Sequence, residues 1–413
     1  MHATWKLWLA GTRPRTLPAS IAPVIVGAAS AWGVFTHRGG WGLHCIDTTS
    51  EAPTALGQPC DVWWYTIDGA IPRFLGMTFL CIGVALFLQI AVNFANDYSD
   101  GIRGVDEGRS VPESHTANGH QTGSSFPARS AAVSATAQLS PTQPTPAQPV
   151  TKVTKATKVT KPQRLVASGV PPKQVLAAAG IAAALACTCG LAVSIISGQY
   201  WLIALGALCL LAGWFYTGGH HPYGYAGFGE VSVFVFFGLV ATLGTEFVIC
   251  QSFDGFGIPN VTRFDFAQPF ADGWNGWTWF WQGQFGIDLT GLVAAVCCGL
   301  NAVLLLMVNN VRDITEDKQH GKRTLAVRLG ERGARIALVV CLALDVLLVA
   351  ILVTVLWFPW GMILLLSSLA VPVRIVRSIA RHDFRWALAD AGYWNLFFPI
   401  LFVICMGASG IGL

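Results

Sequence analysis

Residues 74–106 read "FLGMTFLCIGVALFLQIAVNFANDYSDGIRGVD": an almost pure hydrocarbon run that ends in asparagines and aspartates. The apolar part has the length and composition of a membrane-spanning helix, which needs roughly 20 such residues. The acidic part then falls at that helix's C-terminus, facing the negative end of its dipole. Each acid there is disfavoured by roughly 0.3–1 kcal/mol, so a cation is expected to meet them.

The remainder of the chain is built the same way. Of its 413 residues 53% are hydrophobic and only 12% charged, with a mean hydropathy of +0.54, whereas a soluble domain carries about a quarter charged residues. Nine apolar runs stand out, at 14–34, 74–96, 174–197, 200–217, 228–250, 288–311, 335–357, 361–377 and 392–411. Helices satisfy their own backbone groups in lipid, so the expected fold is all-α: a polytopic bundle of nine transmembrane helices in the bilayer. Pro14, Pro18 and Pro23 predict a kink in the first run. No small-residue cleavage context marks that run as a signal peptide.

If the N-terminus is cytoplasmic and sides alternate, every Lys and Arg except Arg38, Arg73 and Arg263 falls on the cytoplasmic side. This positive-inside asymmetry predicts N-in, C-out in a cell membrane. No basic surface on a soluble module is evident, which argues against nucleic acid as a partner. The chain divides into 1–106 with two spans, 107–162, and 163–413 with seven. The middle segment is rich in Ser, Thr, Pro, Gln and Ala and ends "TKVTKATKVTKP". It lacks a hydrophobic period and reads as a disordered cytoplasmic insertion. Its lysines could touch anionic lipid, although a solvated linker is the plainer account. Cys45 and Cys60 share the first outer loop, where a disulfide is permitted; two unpaired thiols are the alternative. The tryptophans of "WNGWTWFWQG" in the outer loop 251–287 read as an interfacial belt.

Within the opening stretch Asn93, Asp97 and Asp100 fall at i, i+4 and i+7, one face of a helix. Asn96 lies beside them and Asp106 follows in the loop. A second ladder ends the sixth span in "NNVRDITEDKQHGKRTLAVRLG" (309–330), where Asn309, Asp313 and Asp317 again share a face. Carboxylates and amides are hard oxygen ligands suited to Mg²⁺, which takes one or two carboxylates and completes its shell with water and phosphate oxygens. Lys322, Arg323 and, from "QRLVASG", Arg164 are cations on the same side, able to grip a diphosphate. Each piece alone has a plainer reading, a solvated carboxylate or a topogenic Lys or Arg. The duplication at one depth and on one side is what points to a magnesium–diphosphate site. A secondary transporter is the rival class. It would centre on Asp345, an acid deep in the seventh span.

These motifs resemble a known family. "NDYSDGIRGVD" and "RDITEDKQHGKRTLAVRLG" are similar to the two aspartate-rich motifs of the UbiA superfamily of intramembrane prenyltransferases. "GTRPRTLPASIAPVIVGAA", "RLVASG" and "WFYTGGHHPYGYAGFGE" resemble the branch that prenylates 1,4-dihydroxy-2-naphthoate for menaquinone. The resemblance covers about 1–34, 74–106 and 164–413. It departs at His220-His221, where a "GGPxPYGY"-like stretch is expected. It implies a nine-helix bundle with a central cavity open to the cytoplasm, and polyprenyl diphosphate and the naphthoate as substrates. It implies metal ligands among Asn93, Asn96, Asp97, Asp100, Asp106, Asn309, Asp313 and Asp317, and diphosphate contacts from Arg164, Lys322 and Arg323. Tyr216 could orient the acceptor ring or serve as an interfacial anchor. Homogentisate and 4-hydroxybenzoate are the alternative acceptors.

Overall fold

Helices, most of them apolar, account for the regular structure of the described residues, and no strand occurs among them. The computed structural model describes residues 4–14, 16–34, 71–103, 164–253, 286–357 and 360–411. Asp106, Cys45, Cys60, the insertion at 107–162 and the loop tryptophans lie outside the described residues.

The helices are α1 (Trp5–Gly11), α2 (Leu17–Gly33), α3 (Ile71–Ile102), α4 (Pro172–Ser197), α5 (Leu202–Thr217), α6 (Gly229–Ser252), α7 (Leu289–Arg312), α8 (Ile314–Gln319), α9 (Leu325–Trp357), α10 (Trp360–Ser368), α11 (Ala370–Ala380) and α12 (Phe384–Ile411). Seven are long and apolar enough to cross a bilayer: α3, α4, α6, α7, α9, the run α10–α11, and α12. The chain is a multi-pass membrane protein. The other two expected stretches are also apolar helices, but α2 has 17 residues and α5 has 16. At 1.5 Å per residue they reach about 25 Å, short of the ~30 Å hydrocarbon core.

Local chemistry sets the helix ends. Asp288 caps α7 by accepting the Gly291 N–H at 2.7 Å, which satisfies one of the donors a helix start leaves open. Pro172 opens α4, where its missing N–H costs nothing, and Gly198 closes it in the left-handed region at φ 69°.

α7 packs against α2, α6, α9 and α12 and forms the centre of the bundle. Leu304, Met307, Leu338, Trp394 and Phe398 fill the space around it. Its approach to α6 depends on two glycines: a Cβ on Gly238 would sit 2.6 Å from the Gly299 Cα. Close small-residue crossings substitute for the hydrophobic drive that lipid does not provide. α6 carries π-helical turns over Phe234–Val240 at this crossing. Phe79, Ile181, Leu208 and Val355 point outward, as expected of side chains solvated by lipid.

Polar side chains gather in the middle and at the two ends. Mid-bundle, Asp345 of α9 accepts from Trp394 Nε1 at 2.6 Å and Asn301 Nδ2 at 3.2 Å. It thereby joins three helices. At one end Arg73 donates to the Ser252 carbonyl at 2.6 Å, and buried Glu246 accepts from Ser30 at 2.9 Å. At the other end lie the two acidic ladders.

Candidate active site

The first ladder occupies the last turns of α3. Asn93, Asp97 and Asp100 share a face and are all buried. Their burial is caused by a tight turn at 164–170. Ser168 donates both its N–H, at 2.9 Å, and its hydroxyl, at 2.6 Å, to the Arg164 carbonyl. Leu165, fully enclosed, plugs the turn into a cluster with Phe94 and Ala95. Anchored in this way, the turn delivers the Leu165 N–H to Asp97 at 2.7 Å. It also brings Arg164 Nη1 onto Asp100, with its Nε 3.8 Å from Asp97. Arg13, between α1 and α2, adds a second cation 3.7 Å from Asp97. Arg13 holds φ at 53°, a left-handed conformation that costs a side-chain-bearing residue free energy. The cations that the helix dipole demands are therefore Arg164 and Arg13.

A loop at 218–228 joins this site to the second ladder. Arg103, just past α3, donates to the Thr217 carbonyl at 2.7 Å and to the Gly219 carbonyl. Residues Tyr223–Ala226 form a 3₁₀ turn that ends at Gly227, φ 91°. The Tyr225 hydroxyl donates to Asp100. Its carbonyl accepts the Arg323 N–H at 2.8 Å, and Arg328 Nη2 reaches the Ala226 carbonyl at 2.5 Å. The Tyr225 ring carries Lys322 Nζ at 4.4 Å and Arg103 at 5.7 Å from its centroid, a cation–π arrangement. Burial, and then the Asp100 carboxylate beside it, push the Tyr225 hydroxyl well above the usual phenol range. It stays a donor at any physiological pH.

The second ladder crosses from α7 into α8. Asp313 ends α7 and accepts a bidentate pair of hydrogen bonds from Arg312 at 2.8 and 2.7 Å. Asp317 donates its N–H to the Asp313 carbonyl at 2.8 Å, and its own carbonyl accepts the Lys322 N–H at 2.9 Å. Lys322 thus springs from the second ladder, yet its charge acts on Asp100 of the first. Tyr216 lies in the field of Glu230, Arg13 and Asp317, with its ring edge-on to Tyr223 at 5.5 Å.

Among the described residues no three His, Cys, Asp or Glu side chains converge into a ready-made metal cage. Magnesium carried on a diphosphate does not require one, because phosphate oxygens and water complete its shell. Two pairs of hard carboxylates, Asp97 with Asp100 and Asp313 with Asp317, flanked by Arg164 and Lys322, are chemically suited to such a complex.

Residues 154–402 match the UbiA prenyltransferase family. The chain belongs to that family. Its relatives include 1,4-dihydroxy-2-naphthoate octaprenyltransferases. That of Mycobacterium tuberculosis is 32% identical over 94% of this chain and 97% of the relative. That of Mycobacterium leprae is 32% identical over 95% and 98%, and that of Escherichia coli 26% over 82% and 75%. Among solved structures, the apo form of a UbiA homologue from Aeropyrum pernix K1 has a TM-score of 0.48 at 12% identity, covering 95% of this chain and 97% of its own.

In this UbiA-family chain the three asparagines each bond to the protein's own groups. Asn93 donates to the Thr12 carbonyl at 2.9 Å and accepts from Gln89 at 3.1 Å, bracing α3 against the chain before α2. Asn96 accepts from Thr217, and Asn309 donates back to Leu305 of its own helix at 3.0 Å. Arg323 is exposed and enters through its backbone, its N–H on Tyr225 and its carbonyl accepting from Arg328 at 3.2 Å. His220 and His221 are exposed in the UbiA-family loop. Arg13 and Tyr225 were not singled out by spacing. Both lie in stretches already quoted, "GTRPRT" and "PYGY", but neither belongs to a periodic pattern that would betray its partner.

Proposed function

We propose that this chain transfers a polyprenyl group from polyprenyl diphosphate to 1,4-dihydroxy-2-naphthoate, releasing diphosphate and CO₂ and giving demethylmenaquinone. The observation that carries the reading is the meeting of Asp100, Arg164, Tyr225 and Lys322, four residues from four separate motifs, at one end of the bundle. The names of the relatives support the choice of acceptor.

Magnesium, when bound, would neutralise charge on the leaving diphosphate. Asp97, Asp100, Asp313 and Asp317 would hold it, with Asp106 completing the first motif. Arg164 and Lys322 lie against these carboxylates, so positive charge is fixed where the allylic C–O bond breaks and negative charge develops. Tyr225 keeps Asp100 aimed and Lys322 perched above it. The apolar walls exclude water from the allylic cation, and the electron-rich ring attacks it, oriented by Tyr216. No protein nucleophile takes part.

In this reading the two short helices complete a nine-helix bundle, the N-terminus is cytoplasmic, the C-terminus is outside, and the site faces the cytoplasm. The distribution of Lys and Arg supports that orientation. Transport is the weaker reading, because Asp345 is spent on Trp394 and Asn301.

The test is mass spectrometry of products from purified protein given Mg²⁺, a series of polyprenyl diphosphates, and the naphthoate, homogentisate or 4-hydroxybenzoate in turn. Prenylated, decarboxylated naphthoquinol is the expected product. Turnover of another acceptor in preference, or solute flux without diphosphate release, would overturn the assignment.

A further inference from the structure

The first turn of α6 holds an acid that none of the chemistry above uses. Glu230 is 5% exposed. One carboxylate oxygen, Oε1, accepts from Asn310 Nδ2 at 2.8 Å. The other, Oε2, is buried and meets no hydrogen-bond donor among the described residues. An acid at a helix start is favoured by the dipole and is ordinarily solvated. Here burial removes the water, and an unsatisfied carboxylate oxygen in an apolar setting is costly. Such an atom calls for a donor from outside the chain.

The surroundings define that donor. Gly229 presents bare backbone, and a Cβ there would meet the Tyr216 hydroxyl at 3.2 Å and Leu306 Cδ2 at 3.4 Å. Tyr216 feels Glu230 more strongly than any other charge. The groups packed about Gly229, next to Glu230 at the start of α6, are therefore an aromatic ring, an aliphatic side chain and bare backbone, neighbours that suit a flat apolar ring carrying one hydrogen-bond donor. Asn310, which fixes Glu230, precedes Asp313 by three residues on the same run of chain, about one helical turn. A ring held here lies next to the second ladder.

We propose that Glu230 is the specificity-determining residue for the aromatic acceptor, accepting a hydrogen bond from one of its ring hydroxyls through Oε2. This rests on the prenyltransferase reading and extends it to the second substrate. The negative charge turns the acceptor's own carboxylate away, which sets the ring's orientation. The hydrogen bond also draws the hydroxyl proton outward and enriches the ring carbons beside it.

The test compares binding of 1,4-dihydroxy-2-naphthoate with binding of its two mono-O-methyl ethers by the full-length protein in nanodiscs, without prenyl diphosphate. In the wild type one ether should bind about 10- to 100-fold more weakly than the parent, the worth of a hydrogen bond to a charged group. In Glu230→Gln the amide nitrogen replaces Oε2 and becomes a donor. Phenol and ether should then bind alike, while the KM for polyprenyl diphosphate stays within about twofold, since that substrate makes no call on Glu230. Equal binding of parent and both ethers by the wild type would overturn the assignment without any variant, and so would an unchanged preference in folded Glu230→Gln. A wild-type protein that prenylates no aromatic acceptor brings down the functional reading itself. One that prenylates the naphthoate but ignores methylation brings down only the role of Glu230.

Discussion

The Tyr225 hydroxyl donates to the Asp100 carboxylate across 125 residues of sequence. Because the Tyr225 ring also supports Lys322, this one side chain couples the first acidic ladder to the cations that follow the second. Tyr225→Phe removes the hydrogen bond and keeps the ring. A hydrogen bond to a charged group is worth about 1.5–3 kcal/mol, so kcat/KM for polyprenyl diphosphate should fall roughly 10- to 100-fold. Tyr225→Leu, which also removes the support for Lys322, should fall further. Steady-state kinetics on both variants check the order.

The two ladders should fail as a unit. Loss of one electrostatic contact to a developing charge costs about 10²–10³ in rate, and groups acting together are non-additive. Asp97→Asn combined with Asp313→Asn should therefore lose far less than the product of the single losses. Raised Mg²⁺ should partly restore each single variant, and naphthoate binding should survive in both. Multiplicative losses without rescue would make one ladder merely structural.

Arg13 pairs a useful charge with an unfavourable backbone. Its guanidinium lies 3.7 Å from Asp97 while φ is 53°. Glycine adopts that φ without the ~1–3 kcal/mol penalty, although it loses more entropy on folding. Arg13→Gly should leave the unfolding temperature unchanged or higher, yet lower turnover by at least about tenfold through loss of a charge at the site. Arg13→Ala should lower both. Thermal unfolding in detergent, run beside the activity assay, separates the two effects.

Asp345 gives the opposite pattern. Asp345→Asn retains an acceptor for Trp394 but loses the one for Asn301, so it should cost less stability than removal of the whole carboxylate and leave turnover unchanged. Asp345→Ala leaves the Trp394 N–H buried and unpaired, at about 1–3 kcal/mol, and leaves Asn301 Nδ2 only its bond to the Cys297 carbonyl. Stability should fall while turnover per folded molecule holds. A transporter centred on this acid would instead lose function in both variants.

The 107–162 insertion should be dispensable. Its composition cannot bury a core, and a short linker can join Arg103 to the turn at Arg164. Deletion of residues 110–160 should leave folding and most turnover intact. A well-folded deletion variant that is inactive would assign the segment to the site.

Hydrophobic runs and charge placement are local properties, so the positions of the helices, the membrane setting and the acid-bearing faces of α3 and α7–α8 could be read directly from residue order. Periodicity placed Asn93, Asp97 and Asp100 on one face because side-chain direction on a helix depends only on spacing. Periodicity could not distinguish the roles along that face. Asn93 braces Thr12 and Asp97 receives Leu165, and both outcomes were decided by which distant turn packed there. Tyr225, Arg13 and Glu230 were decided the same way. A phenol, a guanidinium and a carboxylate in loops or at helix starts have no period, and each gains its role from a partner 80 to 125 residues away or from a turn that folding alone brings against it. Short-range sterics and hydropathy wrote the helices into the sequence. The pairing of charges was set only by close packing in a low-dielectric interior, where a buried carboxylate must find its donor wherever in the chain that donor lies.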